Sequence, residues 1–509
     1  MRALRPSFLL PSLFLVGAVA CGDSSDSTLS SARAIGGSAE PGGSAFAPGG
    51  AVAGETYGKL VENDWIETAK EPISTFGVDV DTGSYSLMRR DVRANRLPNP
   101  DSVRVEEYIN YFRYDYAPPQ DDRPFAVHLD GAPSPFGDGL HLIRVGMQSK
   151  VVDPAQRKPA NLVFLVDVSG SMSAPDKLPL VQAMLKSLVT KLTDADTLSI
   201  VTYAGYENVL LPPARVSDKA KILAAIDGLH AGGGTNGEGG IRKAYELAEQ
   251  VKQQQQVESI NRVIMCTDGD FNVGLTGDAL VELIEEEREK NITLSTFGFG
   301  QGNYNARDME ALAQKGNGNY AYIDAPEEID RFVQKRLVAT LQVIAKDTKI
   351  QIDLDPTFVQ RYRLVGYENR VLNKEDFADD TKDSGDLGAG HSVTAFYEVE
   401  LTEAAKSGQL ATGDVANVKL RWKPAEGDVS TEAAVPFPAS KIVPSFETAS
   451  EDFRFAAATV EYAEILRRSK HSEGARFDDV IATLSATSKQ DPDRLQLVEL
   501  ARSAKPLWR

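Results

Sequence analysis

An aspartate and two serines follow a run of apolar residues that has the pattern of a buried strand. Residues 162–166 are apolar without interruption, and Asp167, Ser169 and Ser171 then occupy alternate positions. In an open α/β sheet, ligands bind at the carboxyl ends of the strands. A carboxylate and two hydroxyls at such an end are hard oxygen donors, which suit magnesium or a similar cation. Because Ser-Gly-Ser after a strand is also ordinary turn and helix-cap chemistry, the motif alone leaves both interpretations open.

Two later stretches favour the metal interpretation. The glycine run 232–234 gives the backbone the freedom to bring the Thr235 hydroxyl close, and a helical pattern begins at Asn236. Residues 261–267, NRVIMCT, have the pattern of a second buried strand, which delivers Asp268 at its carboxyl end. Three separate loops therefore offer oxygen atoms at one edge of the predicted sheet.

These residues, in this order and at these separations, resemble the metal-ion-dependent adhesion site of the von Willebrand factor type A domain. The family pattern is Asp-x-Ser-x-Ser, then a Thr, then an Asp, and it maps without a departure onto Asp167, Ser169, Ser171, Thr235 and Asp268. The resemblance implies that the hydroxyls bind Mg²⁺ directly and that the two aspartates act directly or through water. It also implies that an Asp or Glu of a protein partner completes the coordination. Mn²⁺ and Ca²⁺ are alternative cations.

The surrounding elements predict the fold class α/β. Strand patterns at 197–203, 292–297 and 319–323 alternate with helical patterns, which predicts a doubly wound, mostly parallel sheet covered on both faces. This is the Rossmann-like architecture that the type A resemblance implies. One helix pattern, over 181–192, has a single apolar stripe of period 3.6.

Strand patterns also flank this domain. Two appear between residues 125 and 147, and period-two alternation recurs at 349–354, 393–401 and 418–422. Strands on both sides of one α/β domain predict a β-sandwich into which that domain is inserted, because neighbouring termini make insertions easy. Helical patterns close the chain.

The predicted organisation follows from these patterns. Residues 104–112 and 453–500 resemble the segments that flank the type A domain in a family of bacterial lipoproteins. The predicted parts are a signal peptide at 1–20, a lipidated cysteine and flexible tether at 21–57, an N-terminal α/β segment at 58–123, flanking strands at 124–158, the type A domain at 159–345, a β-rich domain at 346–445 and a helical C-terminal segment at 446–509.

The first residues predict export and a membrane anchor. Arg2 and Arg5 precede an apolar run, and the small residues 18–20 precede Cys21, which is typical of a secretory signal. The arrangement resembles a bacterial lipobox, so Cys21 would be the lipidated first residue of the mature chain. Gly22 after it favours the outer membrane, facing either the periplasm or the outside. Plain signal cleavage beside a chance cysteine is the alternative.

A second motif offers a competing, enzymatic interpretation. The run from Asp81 to Ser84, DTGS, looks like the active-site motif of aspartic proteases. Such enzymes need two carboxylates that share a proton, and the other candidate, Asp383, lies in a run of acids and glycines without a strand before it. A helix start capped by Thr82 or Ser84 explains the motif without catalysis. A metal- or Asp-dependent hydrolase, either phosphatase or protease, is thus the alternative to a non-enzymatic, cation-dependent adhesion or assembly module.

Charge and composition narrow the partners. The formal net charge is -18, and no basic stripe with interleaved aromatic residues is present in the sequence, which argues against a nucleic-acid partner. The five histidines are scattered without the spacing of zinc ligands. With Cys21 acylated, the other cysteine, Cys266, has no disulfide partner, and its apolar strand argues against a catalytic thiol. The expected partners are therefore a protein ligand and, through the lipid anchor, a membrane.

Overall fold

The computed structural model describes residues 54–78, 81–153, 157–235, 237–255, 257–269, 278–302, 304–333, 341–382, 384–408 and 412–508. The predicted signal peptide and Cys21 lie outside these residues, and so do Asn236 and Asp383. In the described part of the chain, no helix combines the length and the apolar character needed to cross a membrane.

Strands and helices alternate along most of the described chain. The strands are β1 (Ile66–Glu67), β2 (Ile73–Gly77), β3 (Phe125–Pro133), β4 (Leu140–Ser149), β5 (Ala160–Asp167), β6 (Thr197–Tyr203), β7 (Glu207–Arg215), β8 (Ile260–Thr267), β9 (Thr293–Phe299), β10 (Tyr320–Ile323), β11 (Val343–Leu354), β12 (Val359–Val365), β13 (Val371–Leu372), β14 (Leu387–Gly388), β15 (Ser392–Leu401), β16 (Asp414–Pro424) and β17 (Thr431–Pro438). The helices are α1 (Gly83–Arg93), α2 (Val105–Ile109), α3 (Leu178–Val189), α4 (Lys219–Asp227), α5 (Gly237–Gln254), α6 (Asp278–Glu289), α7 (Ala306–Lys315), α8 (Pro326–Arg331), α9 (Glu403–Lys406), α10 (Glu451–Leu466), α11 (Phe477–Thr487) and α12 (Pro492–Ala504).

The central sheet has β5 in its middle. Its strand order is β10-β9-β8-β5-β6-β7, and all neighbours pair in parallel except β6 and β7. Helices α3, α4 and α8 cover one face, and α5, α6 and α7 cover the other. Residues 162–166 of β5 are fully buried, which is why this strand has an unbroken apolar run rather than alternation. The predicted α/β fold class is confirmed.

The antiparallel edge strand β7 was not among the strands that the sequence predicts. Its residues, ENVLLPPAR, include Pro212 and Pro213 and do not alternate between apolar and polar types. Proline lacks the N–H that a central strand donates and is confined to edges and bulges, and β7 lies at an edge. The pairing with β6 shifts register twice along this strand.

Two antiparallel sheets flank the central domain and form the predicted sandwich. One has the order β1-β12-β15-β4-β3, and the other has the order β13-β2-β11-β16-β17 with β14 paired to β11. Each sheet combines strands from before and after the central domain, so that domain is an insertion. Apolar side chains from both sheets form one core, which includes Phe76, Ile143, Tyr397, Val418 and Trp422.

The helices at the two ends of the chain share a third core. Tyr85 of α1 and Tyr108 of α2 belong to the same buried cluster as Phe455 and Tyr462 of α10 and Leu497 of α12. Aromatic contacts join helices from the two ends of the chain. For example, the ring centres of Tyr108 and Tyr462 lie 6.4 Å apart. The helices of the predicted N-terminal and C-terminal segments therefore pack together, although several hundred residues separate them in the sequence.

Candidate metal centre

Asp167 and Asp268 come to the same edge of the central sheet because their strands are parallel neighbours. Asp167 is the last residue of β5, Asp268 directly follows β8, and Val166 is opposite Cys266 in the pairing of these strands. Both aspartate side chains are fully buried. The predicted meeting of the two loops at one edge is thus present in the structure.

The Asp167 carboxylate is fixed by three donors. Its Oδ1 accepts the backbone N–H of Ser169 at 2.8 Å, and its Oδ2 accepts the hydroxyls of Tyr203 at 3.2 Å and Thr267 at 3.0 Å. Tyr203 and Thr267 are the last residues of β6 and β8, the strands that pair with β5. Sequence reasoning missed both, although each is a hydroxyl residue that ends a strand next to the one ending in Asp167.

The two serine hydroxyls lie side by side. Ser169 Oγ and Ser171 Oγ are 3.0 Å apart, at the start of a short 3₁₀ turn over Gly170–Ser173. Ser169 is buried and Ser171 is exposed, so one hydroxyl of the pair faces the interior and the other faces solvent.

A second loop lies against these serines. The Gly232 N–H donates to the carbonyl of Val168 at 2.7 Å, and the Gly170 N–H donates to the carbonyl of Gly233 at 3.1 Å. Gly233 has a φ of +89°, a conformation that favours glycine, as the predicted role of the glycine run requires. Thr235 follows two residues later and is half-buried. The structure thus brings the loop that carries Thr235 against the serine loop.

A buried lysine completes the centre. Lys177 Nζ lies 2.8 Å from Asp268 Oδ2, and the side chain of Lys177 is only 8% exposed. The alkyl part of Lys177 passes directly over Gly300, where an added Cβ would lie 2.3 Å from Lys177 Cε. Gly300, the residue after β9, is therefore the surface on which this lysine packs. Nothing in the spacing of Lys177 in the sequence pointed to Asp268.

The electrostatics of the centre favour a cation. Burial raises the pKa of Asp167, and the negative charge of Asp268 raises it further, while the hydrogen bonds from Ser169 oppose these effects. Two buried carboxylates face one buried ammonium group, that of Lys177. The region therefore has excess negative charge that a divalent cation would compensate.

The arrangement of donors fits Mg²⁺. Neighbouring ligands of an octahedral Mg²⁺, each at about 2.0–2.1 Å, are about 2.9 Å apart, and the oxygens of Ser169 and Ser171 are 3.0 Å apart. Both oxygens of Asp167 accept hydrogen bonds from the protein, which fix the position of this carboxylate beside the serine hydroxyls. Among the described residues, no three or more His, Cys, Asp or Glu side chains cluster as metal ligands. The candidate ligands here are mainly the hydroxyls of Ser169, Ser171 and Thr235, which are not among those four residue types.

The protease-like motif has a structural role in this fold. Asp81 Oδ1 accepts the backbone N–H of Tyr320 at 2.9 Å, and Asp81 Oδ2 lies 3.7 Å from Arg370. The predicted helix start is confirmed, with Thr82 at the N-cap position of α1, but the Thr82 side chain makes no capping hydrogen bond. The carboxylate of Glu107 instead accepts the N–H of Ser84 at 2.7 Å. Asp383, the proposed second carboxylate, lies outside the described residues.

Three family matches together cover most of the chain. Residues 51–144 match the family described as von Willebrand factor, residues 161–335 match the von Willebrand factor type A domain, and residues 339–507 match the C-terminal family of the uncharacterized protein YfbK. The resemblance to type A domain proteins with characteristic flanking segments is confirmed.

Whole-chain comparisons agree with these matches. The uncharacterized protein YfbK of Escherichia coli (strain K12) is 38% identical over 473 residues, which cover 87% of this chain and 80% of that protein. The uncharacterized protein sll0103 of Synechocystis sp. is 28% identical over 186 residues, or 36% of this chain and 43% of that protein. Among solved structures, von Willebrand factor type A from Catenulispora acidiphila has a TM-score of 0.41 at 18% identity and covers 78% of this chain and 88% of that one.

Proposed function

The chain belongs to the family of the uncharacterized protein YfbK of Escherichia coli and contains a von Willebrand factor type A domain, and we propose that it is a non-enzymatic protein-binding module that depends on a divalent cation. The observation that carries this proposal is the separation of 3.0 Å between the hydroxyl oxygens of Ser169 and Ser171, beside two buried aspartates. That separation suits two neighbouring ligands of Mg²⁺.

Each residue of the centre has a distinct task. The hydroxyls of Ser169, Ser171 and Thr235 are neutral ligands, so they hold a cation without cancelling its charge. Asp167, held by its three hydrogen bonds, orients water, and Asp268 supplies negative charge close by. When bound, Mg²⁺ supplies a positively charged, exchangeable position that attracts an external carboxylate.

Lys177 increases the preference of the centre for an acidic partner. Its ammonium group already neutralises part of the charge of Asp268. With Mg²⁺ bound, the two carboxylates and the one ammonium group give the centre a net charge of +1. An Asp or Glu of the partner would compensate this charge. The exposed hydroxyl of Ser171 marks the side from which this carboxylate approaches.

Membrane attachment is the second part of the proposal. The residues that support it, Cys21 and the signal-like run before it, lie outside the described part of the chain. A lipidated Cys21 holds the protein at the bacterial outer membrane, because each acyl CH₂ contributes about 0.8 kcal/mol and a multiply acylated cysteine anchors stably. The Ser- and Gly-rich residues 22–53 then act as a tether between the membrane and the folded part. The predicted end of the tether at residue 57 was too late, because the buried Glu55 carboxylate lies 2.8 Å from Arg90 and the Thr56 N–H donates to the carbonyl of Tyr304 at 3.0 Å.

The proposal is tested by capture of envelope proteins on the immobilised chain. Capture in Mg²⁺ should be lost in excess chelator and should be lost in Ser169→Ala, whereas Ser173→Ala, two residues beyond Ser171 in the same turn, should behave as the parent. Equal capture of the same protein in Mg²⁺ and in chelator would contradict the cation-dependent function.

A further inference from the structure

A second polar site lies at the opposite end of β8 from the metal centre. A cavity of about 290 Å³ is bounded by the central domain and by the sandwich, including the end of β2. Arg262, the third residue of β8, lines it, whereas Asp268 follows the last residue of that strand. Six residues of extended strand separate Arg262 from Asp268 by about 20 Å, so this interdomain cavity is distinct from the metal centre.

Arg262 is a buried charge with little compensation. It is 4% exposed, and its Nε donates to the hydroxyl of Thr293 at 3.1 Å. Within the described residues, no carboxylate lies within ion-pair distance of this guanidinium. Burial lowers the pKa of Arg262 to about 10 and the charge of Asp386 opposes that change, so the group stays protonated at neutral pH. A buried cation of this kind is unfavourable unless it gains an anionic partner.

Further basic side chains line the same cavity. Arg288, Lys315 and Arg370 are among its lining residues. Lys315 is half-exposed and its Nζ lies 2.8 Å from Glu285, at the solvent side of the central domain. Lys315 and Arg370 each lie near a carboxylate, Glu285 and Asp81, so they add hydrogen-bond donors to the cavity rather than uncompensated charge.

The acidic residues of the lining are engaged with the protein. Asp81 accepts the N–H of Tyr320 at 2.9 Å and lies 3.7 Å from Arg370. Asp386 accepts the side-chain amide of Asn317 at 2.9 Å. Of the described lining residues, four are Arg or Lys and two are Asp, and Glu285 pairs with Lys315 from outside the lining, so basic side chains outnumber acidic ones by one in this set.

We propose that the interdomain cavity binds a small anion with carboxylate or phosphoryl oxygens, and that the buried guanidinium of Arg262 is its principal ligand. An arginine presents paired N–H donors that match such oxygens. The volume, about 290 Å³, is at the lower end of the range for ligand pockets and suits a compact metabolite-sized anion. Because the central domain and the sandwich both supply lining residues, the bound anion would also hold these two parts together.

The test is calorimetric titration of inorganic phosphate and of succinate into the full-length chain at constant ionic strength. Saturable binding of either anion is expected, and the one that binds identifies the oxyanion class. Arg262→Gln should weaken binding at least tenfold, and Lys315→Gln should weaken it about threefold, because each removes one positive charge. Lys186→Gln is the matched control, since Lys186 is also a half-exposed lysine paired with one carboxylate, and it should leave binding unchanged.

A fold check by circular dichroism accompanies each variant. If Arg262→Gln does not fold, Arg262→Lys and Lys315→Gln are measured instead. Arg262→Lys should bind more weakly than the parent because lysine lacks the planar fork of arginine donors, and Lys315→Gln should bind more weakly because it removes one positive charge. Absence of binding of both anions to the folded parent would overturn the proposal. So would equal binding of the neutral analogue succinamide, or unchanged affinity in folded Arg262 and Lys315 variants.

Discussion

Lys177 Nζ lies 2.8 Å from Asp268 Oδ2, and both side chains are almost completely buried. An internal ammonium group therefore sits at one of the two carboxylates that face the proposed cation site. Its positive charge stabilises Asp268 when no cation is bound and opposes a cation when one arrives. We therefore expect this pair to lower the affinity of the proposed cation site.

Replacing Lys177 by methionine should tighten Mg²⁺ binding. Removal of the ammonium group restores one unit of negative charge near the site. We expect the Kd for Mg²⁺ to fall about tenfold, which corresponds to about 1.4 kcal/mol of binding free energy. Calorimetric titration measures the change. Lys186→Met, at a half-exposed lysine, is the control. Weaker binding by a folded Lys177→Met would mean that the lysine positions Asp268 and does not oppose the cation.

Gly300 should be intolerant of alanine because Lys177 packs on it. Its φ is +72°, and an added Cβ would lie 2.3 Å from Lys177 Cε. Gly302 is the matched control, since its φ is +99° but an added Cβ there meets open space. Gly302→Ala carries only the backbone penalty, about 1 kcal/mol, and Gly300→Ala should reduce the free energy of unfolding by about 1–2 kcal/mol more. Equal losses in urea unfolding would show that the lysine contact is unimportant.

Arg89 should be essential for holding α1 to the central domain. Its Nε donates to Asp324 at 2.9 Å and its Nη2 donates to Glu328 at 2.8 Å, with all three side chains buried. Arg89→Met leaves two buried carboxylates less compensated, and we expect a loss of about 3–5 kcal/mol in the free energy of unfolding.

The matched control for this change is on the same helix. Arg93 is 41% exposed and its Nη2 lies 3.9 Å from Glu327, so Arg93→Met should change the free energy of unfolding by less than about 1 kcal/mol. Chemical denaturation measures the free energy of unfolding of both variants. Similar losses for the two arginines would contradict the role assigned to the buried network.

Glu461 should make the protein less stable as the pH rises. Burial, with the negative charges of Glu464 and Glu398, raises its pKa to about 8 against the opposing charge of Arg363. In the described structure Oε1 of Glu461 has no hydrogen-bond partner. A carboxyl whose pKa is higher in the folded than in the unfolded chain binds its proton more tightly when folded. Its stabilising contribution is therefore complete below about pH 4.3 and is lost as the pH rises through about 8.

Glu461→Gln removes this titration. Between pH 5 and pH 8 the parent should lose more unfolding free energy than the variant, by at most about 1.4 kcal/mol per pH unit. Glu451→Gln, an exposed site on the same helix, should keep the slope of the parent. Parallel pH profiles for the parent and Glu461→Gln would show that Glu461 is ionised in the folded protein at neutral pH.

Much of the fold could be predicted because the signals are local. The apolar run of β5 and the residues that end β5 and β8 are contiguous in the sequence, and parallel pairing then requires Asp167 and Asp268 to meet. Tyr203, Thr267 and Lys177 could not be assigned in the same way. Their roles depend on strand register and on the path of a side chain across Gly300, which only the folded structure specifies.

The most direct test of the account is calorimetric titration of Mg²⁺ into the metal-stripped, full-length chain and into Ser171→Ala and Ser173→Ala. Both serines are exposed and lie in one 3₁₀ turn, but only the Ser171 hydroxyl is paired with Ser169. The account predicts saturable binding at one site in the parent and in Ser173→Ala, and loss of that binding in Ser171→Ala. No binding by the folded parent, or equal binding by all three proteins, would contradict it.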